Sequence, residues 1–153
     1  GNHDDDDREW AKMKKHLEAK KIQFLTEPQD IQTFTLGESK ICIHGIHTLT
    51  DRLSTMPVVE RNSVLDAYIL LLTETKADCH IVLLHNPDGV EYLLARLKKT
   101  GKSLTTPTLF LAGHTHGTTV NLPVFRRGAL HVSKTRFKRY KGWYGPKGKY
   151  AQT

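Results

Sequence analysis

The chain has 153 residues, 38% hydrophobic and 25% charged, which suits one domain built around one core. No apolar run reaches the roughly 18 residues of a membrane-spanning helix, and Cys42 and Cys79, far apart in predicted strands, read as buried thiols rather than a disulfide or a ligand pair. The net charge of +7 conceals a split: residues 1–91 carry 10 Lys/Arg and 16 Asp/Glu, whereas residues 92–153 carry 13 Lys/Arg and no acid. The second part should attract anions such as phosphate esters, nucleic acid or acidic lipid headgroups.

In chain order, Gly1-Asn2-His3-Asp4 and three further aspartates lead into a predicted helix to about Lys20, with Trp10, Met13 and Leu17 at helical spacing. Ile22–Leu25 is a short strand candidate, stopped by Glu27-Pro28. Ile31–Leu36 alternates like a strand, and Lys40–His44 is another. After a loop from Gly45 to Pro57, Asn62 or Ser63 can cap a helix that puts Val64, Leu65, Tyr68, Leu71 and Leu72 on one face. His80–Leu84 is a continuously apolar strand, the pattern of a sheet covered on both faces. It ends in His85-Asn86-Pro87-Asp88, where Asp88 and Glu91 resemble a capping box ahead of a helix with Val90, Leu93, Leu94 and Leu97 on one face. Thr108–Leu111 is a buried strand, followed by Ala112-Gly113-His114-Thr115-His116-Gly117. Val120–Val124 is a short strand candidate. From Arg126 to Thr153 the chain is basic, aromatic and glycine-rich without clear periodicity. Strands alternating with amphipathic helices predict a layered α/β domain, in which ligands gather beyond the carboxyl ends of the strands.

Three segments then converge on those strand ends: Asn2-His3-Asp4, His85, and the His114/His116 pair. Imidazole nitrogens bind divalent Zn, Mn or Fe, and an amide oxygen such as that of Asn2 is a neutral hard ligand. A lone histidine is more often structural, and His16, His44, His47, His80 and His131 take that default.

GNHD, an apolar strand ending in HNPD, and LAGHTHG, in this order, resemble the calcineurin-like metallophosphoesterases, and HNPD with GHTHG looks most like their single-domain bacterial branch. Some members of that branch cleave phosphodiesters or the pyrophosphate of lipid precursors. The resemblance implies an αββα sandwich over residues 1–153, incomplete at both ends, with two divalent metal ions (Mn, Fe or Zn) as cofactors. It implies that Asn2, His85 and His114 bind one metal and His116 the other. His3 would be the general acid or transition-state stabiliser, and Asp4 would orient it. The family's two earlier blocks, Asp-x-His and Gly-Asp, do not stand in this sequence. The chain is therefore expected to be an internal fragment, inactive alone, whose intact form hydrolyses phosphodiester or pyrophosphate bonds through a hydroxide activated by two metals.

The basic segment interleaves cations and aromatics from Arg136 to Tyr144. That composition suits a solvated face beside a phosphate site, a membrane surface with anionic headgroups, or single-stranded nucleic acid, in that order of expectation. The expected partner is thus a phosphate-ester substrate, lipid-linked in one version, with no obligate protein partner evident. The compartment, cytoplasmic or membrane-associated, is not fixed by these residues. Two rival functions stay open: an inactive domain of the same fold that binds anionic lipid or nucleic acid through its basic half, and a nucleic-acid-processing phosphodiesterase.

Overall fold

A computed structural model describes residues 7–25, 30–46, 53, 55–113, 143–145 and 148–150. Its elements are α1 (Asp7–Glu18), β1 (Ile31–Leu36), β2 (Ser39–Ile46), α2 (Val58–Glu74), β3 (Cys79–Leu84), α3 (Asp88–Thr100), β4 (Thr108–Ala112), β5 (Trp143–Gly145) and β6 (Gly148–Tyr150). The main sheet runs β1-β2-β3-β4, with β1 antiparallel to β2 and the other three strands parallel. The α/β expectation holds. Strands β5 and β6 pair antiparallel, a hairpin that the aperiodic basic segment did not announce.

The parallel order β2-β3-β4 moves in one direction across the sheet. Right-handed crossovers therefore bring α2 and α3 to the same face. That face holds the core: Ile46, Val82 and Leu84 from the strands meet Leu65, Tyr68, Ile69 and Leu72 of α2 and Leu93 and Leu97 of α3. The two helices are also tied laterally. Arg96 Nε donates to Asp66 Oδ1 at 2.8 Å, and the Arg61 guanidinium lies 5.3 Å from the Tyr92 ring centre.

Several expectations are corrected here. Ile22–Leu25 forms no strand; it is an extended return segment after α1. Helix α2 begins at Val58, well before Asn62, with Pro57 at the N-cap, and the Pro57 carbonyl accepts the first helical bond from the Arg61 N–H at 2.9 Å. The apolar pattern hid this start because Val58 and Val59 are exposed, so the buried face first shows itself at Leu65. Asp88 is not a capping residue: it is the first residue of α3, with Pro87 at the N-cap and no side-chain cap. Nor is β3 covered on both faces, since His80, Val82 and Leu84 are buried while Leu83 is 40% exposed, and β4 is not the buried strand expected, since Leu109 and Leu111 are exposed. Cys42 is buried and Cys79 half-buried, and both are free thiols. The Val120–Val124 candidate lies outside the described residues.

Helix α3 ends as its sequence demands. Gly101 adopts φ 67°, the left-handed region, and its N–H reaches the Lys98 carbonyl at 3.4 Å. Glycine takes that backbone without the penalty a Cβ would bring.

Candidate active site

The parallel strands β2, β3 and β4 end together at Ile46, Leu84 and Ala112, which stand in register across the sheet. His85 follows directly on β3 and Gly113 on β4. The Gly113 N–H donates to the His85 carbonyl at 3.0 Å, one step beyond the last sheet pair. That bond stitches the HNPD segment to the residue covalently preceding His114. His85 and the first residue of the GHTHG motif are therefore adjacent at the carboxyl end of the sheet, where ligands gather in such folds.

His85 is half-buried at this end, neither sunk in the core nor free on the surface. The turn after it is fixed by Asn86, a residue not singled out in the sequence. Asn86 is buried, and its Oδ1 accepts the Asp88 N–H at 2.9 Å. Its carbonyl takes the Gly89 N–H at 3.0 Å, and that of Pro87 takes the Val90 N–H at 3.1 Å. This is an Asx turn feeding a helix, the conformation that an Asn-Pro pair favours. The Asn-Pro signal was there to be read. It holds the backbone on which His85 is mounted.

The third motif is approached from the other side. After α1 the chain reverses, and Phe24 returns to pack edge-on against Trp10, with ring centroids 5.3 Å apart at 87°. Leu25, the next residue, crosses β2 at Gly45. Gly45 is the last residue but one of β2, paired with Leu83. Trp10 is thus linked, through Phe24 and Leu25, to the carboxyl end of β2. Asn2, His3, Asp4, His114 and His116 themselves lie outside the described residues.

The histidines given a structural default sort as expected where they are described. His44 and His80 are fully buried on the helix-covered face, with His44 Nε2 and His80 Nδ1 2.8 Å apart. Their contact was not foreseen. The register makes it possible, because His44 opposes Val82 and Cys42 opposes His80, so the two rings are diagonal neighbours on one face. The outer nitrogens, His44 Nδ1 and His80 Nε2, have no partner among the described residues. Burial, and after it the charge His80 would carry, pushes the His44 imidazole down to about 4 from its ordinary 6.5. Burial lowers His80 as well.

Among the described residues no group of three or more His, Cys, Asp or Glu side chains is placed to hold a metal ion. His85 is the described donor, and its chemistry and half-buried position suit a divalent ion completed by neighbouring donors.

A family model for calcineurin-like phosphoesterases matches residues 1–118. The chain belongs to that family, and the class it defines is the metal-dependent hydrolases of phosphoric esters. The match spans all three motifs and every element of the main sheet. Comparison with curated proteins and with solved structures gives no match.

Proposed function

We propose that the intact protein hydrolyses phosphodiester or pyrophosphate bonds, and that it stands in the family's single-domain bacterial branch. The observation that supports the reading is the bond from the Gly113 N–H to the His85 carbonyl, which sets the first residue of GHTHG beside His85 at the sheet's carboxyl end. Two divalent ions, when bound, would supply hydroxide at neutral pH and offset the charge that develops on the phosphoryl group.

The chain's own residues take these roles. Asn2, His85 and His114 hold one ion, and His116 contributes to the second. The Asn86 turn fixes the backbone of His85, so that its imidazole is presented rather than searched for. His3 gives a proton to the leaving-group oxygen, and Asp4 holds His3 in the tautomer and orientation that allow it. The Asp-x-His and Gly-Asp blocks that the family carries ahead of GNHD for the remaining ligands of the second ion do not stand in residues 1–153, so these residues alone should turn over little or nothing.

The basic half supports a lipid-linked phosphate ester at a membrane surface as the substrate, since residues 92–153 carry 13 Lys/Arg and no acid. Hydrolysis of an aryl phosphodiester with Mn²⁺ or Zn²⁺, by residues 1–153 joined to a segment that carries the Asp-x-His and Gly-Asp blocks, tests the reading. Activity that depends on metal and on His85 supports it. Metal-independent turnover would overturn the metal-dependent mechanism, and no turnover with a full ligand set would leave an anion-binding module of the same fold. Binding to anionic vesicles but not to an oligonucleotide, with a steep salt dependence, is expected of the lipid version; the reverse would overturn it.

A further inference from the structure

Among the described residues, β1 pairs with β2 alone and its outer edge is open. Natural proteins blunt such edges with a charge, a proline or a bulge. The strand Ile31-Gln32-Thr33-Phe34-Thr35-Leu36 has no charge and no proline, and its register with β2 runs one to one without a bulge. Its last four residues are exposed, Leu36 by 68%. The turn after it decides which backbone groups face outward. Gly37 has φ 62° and Glu38 is not in the left-handed region, the pattern of a two-residue II′ turn. The closing pair Leu36–Ser39 then exchanges both backbone bonds, and Phe34 and Gln32 follow in alternation. Ile31, Thr33 and Thr35 therefore turn their N–H and C=O groups to the open edge. The side chains divide in the same rhythm. Thr33 Oγ1 lies 3.4 Å from Sγ of Cys42, which is buried, so Gln32, Phe34 and Leu36 stand on the opposite face of the sheet. The return segment after α1 lies on that face too, because Leu25 meets the side of Gly45 from which a Cβ would project. Between that segment and the start of β1 is an open cavity of about 530 Å³, lined by Lys14, Glu18, Ile22, Phe24, Ile31 and Gln32 among others.

We propose that β1 is a self-association edge: the β1 strands of two copies pair antiparallel about a two-fold axis at Phe34, and Leu36 of each copy enters the cavity of the other. The proposal stands apart from the phosphoesterase reading. Antiparallel pairing that keeps the two sheets' faces matched sets Thr33 against Thr35 of the second copy, and these are residues whose N–H and C=O groups face outward. It puts the two Phe34 side chains opposite each other on one face, a favourable cross-strand pair. It also sets Leu36 opposite Gln32 of the second copy, at the cavity. The most exposed apolar side chain of the strand and the cavity that receives it thus lie at opposite ends of one strand, the self-complementarity that a two-fold contact requires. The uncharged strand sets no like charges against each other. Each copy uses its β1 edge once, so assembly stops at two.

The test is sedimentation velocity of the full chain over a series of concentrations, with amide hydrogen exchange followed in β1. The native chain should pass from monomer to dimer as concentration rises. The Thr33 and Thr35 amides should gain protection as the dimer forms, whereas the Phe34 amide, bonded within the hairpin, should be protected throughout. Thr35→Pro removes an outward N–H and no bond to β2, and Leu36→Lys removes the side chain that enters the cavity. Each should raise the dissociation constant by about tenfold or more. Adding Gln32→Glu to Leu36→Lys places opposite charges across the contact and should recover part of that loss. If Thr35→Pro unfolds the hairpin, seen as lost protection at Phe34, Leu36→Lys decides, because that side chain is already 68% exposed. A monomer at every concentration overturns the proposal, as does a dimer that Leu36→Lys leaves intact. A dimer dissolved by Leu109→Lys and not by Leu36→Lys would assign the contact to the open sheet face instead. Growth beyond two copies would point to β1 pairing with the β4 edge of the next chain, and would overturn the two-fold arrangement.

Discussion

Acid should weaken this fold through the His44–His80 pair. Both rings are fully buried, and His44 titrates at about 4 rather than 6.5. The folded chain therefore keeps His44 neutral at a pH where the unfolded chain would protonate it. The unfolded state binds more protons, so stability falls as pH drops below 6.5 and the loss is complete once pH passes below about 4. A displacement of that size corresponds to about 3 kcal/mol, a large part of the ~5–15 kcal/mol that holds a typical domain together. His80 adds in the same direction. The assay is urea denaturation at pH 7.5, 6.0, 5.0 and 4.5, for the native chain and for His44→Gln. The native chain should lose stability steeply across that range, and His44→Gln should lose less. Parallel pH profiles for the two proteins would refute the reasoning, because the acid sensitivity would then reside elsewhere.

Three further outcomes are expected. Leu93, fully buried between α3 and the sheet, should cost about 3 kcal/mol as Leu93→Ala in chemical denaturation; a loss below about 1 kcal/mol would mean that the core is packed differently. Asn86→Ala removes the acceptor for the Asp88 N–H and should cost about 1 kcal/mol of stability, with Mn²⁺ affinity falling about tenfold because the turn that mounts His85 is loosened; unchanged affinity would detach the turn from the site. His3→Ala, in a chain that also carries the Asp-x-His and Gly-Asp blocks, should keep its metal content and lose about 10²–10⁴-fold in kcat. If its metal content collapses as well, His3 is a ligand and not the proton donor.

The parallel part of the fold was legible because its signals are local. The run His80–Leu84, the apolar face containing Leu93 and Leu97, and the left-handed glycine after α3 each follow from period or backbone chemistry. The start of α2 was not legible, because Val58 and Val59 are apolar yet exposed and so break the pattern that marks a buried face. The return segment Ile22–Leu25 read as a strand because its residues suit one, but among the described residues it joins no sheet, and Leu25 instead lies against Gly45. At the site, His85 was found by its place after a strand. Asn86 was passed over because a buried polar residue beside a candidate ligand draws less notice than the ligand. The His44–His80 contact depends on the register between β2 and β3, which no single strand carries in its own sequence.

The central claim is the proposal that His85 and His114 serve one metal; the bond from the Gly113 N–H to the His85 carbonyl, which sets the residue before His114 beside His85, supports it. Metal content after equilibration with Mn²⁺ or Zn²⁺, measured by elemental analysis for the native chain, His85→Ala, His114→Ala and the double variant, tests it most directly. Each single substitution should abolish most of the bound metal, and the double variant should be no worse than either one. Losses that add, or a native metal content that neither substitution changes, would contradict a shared site.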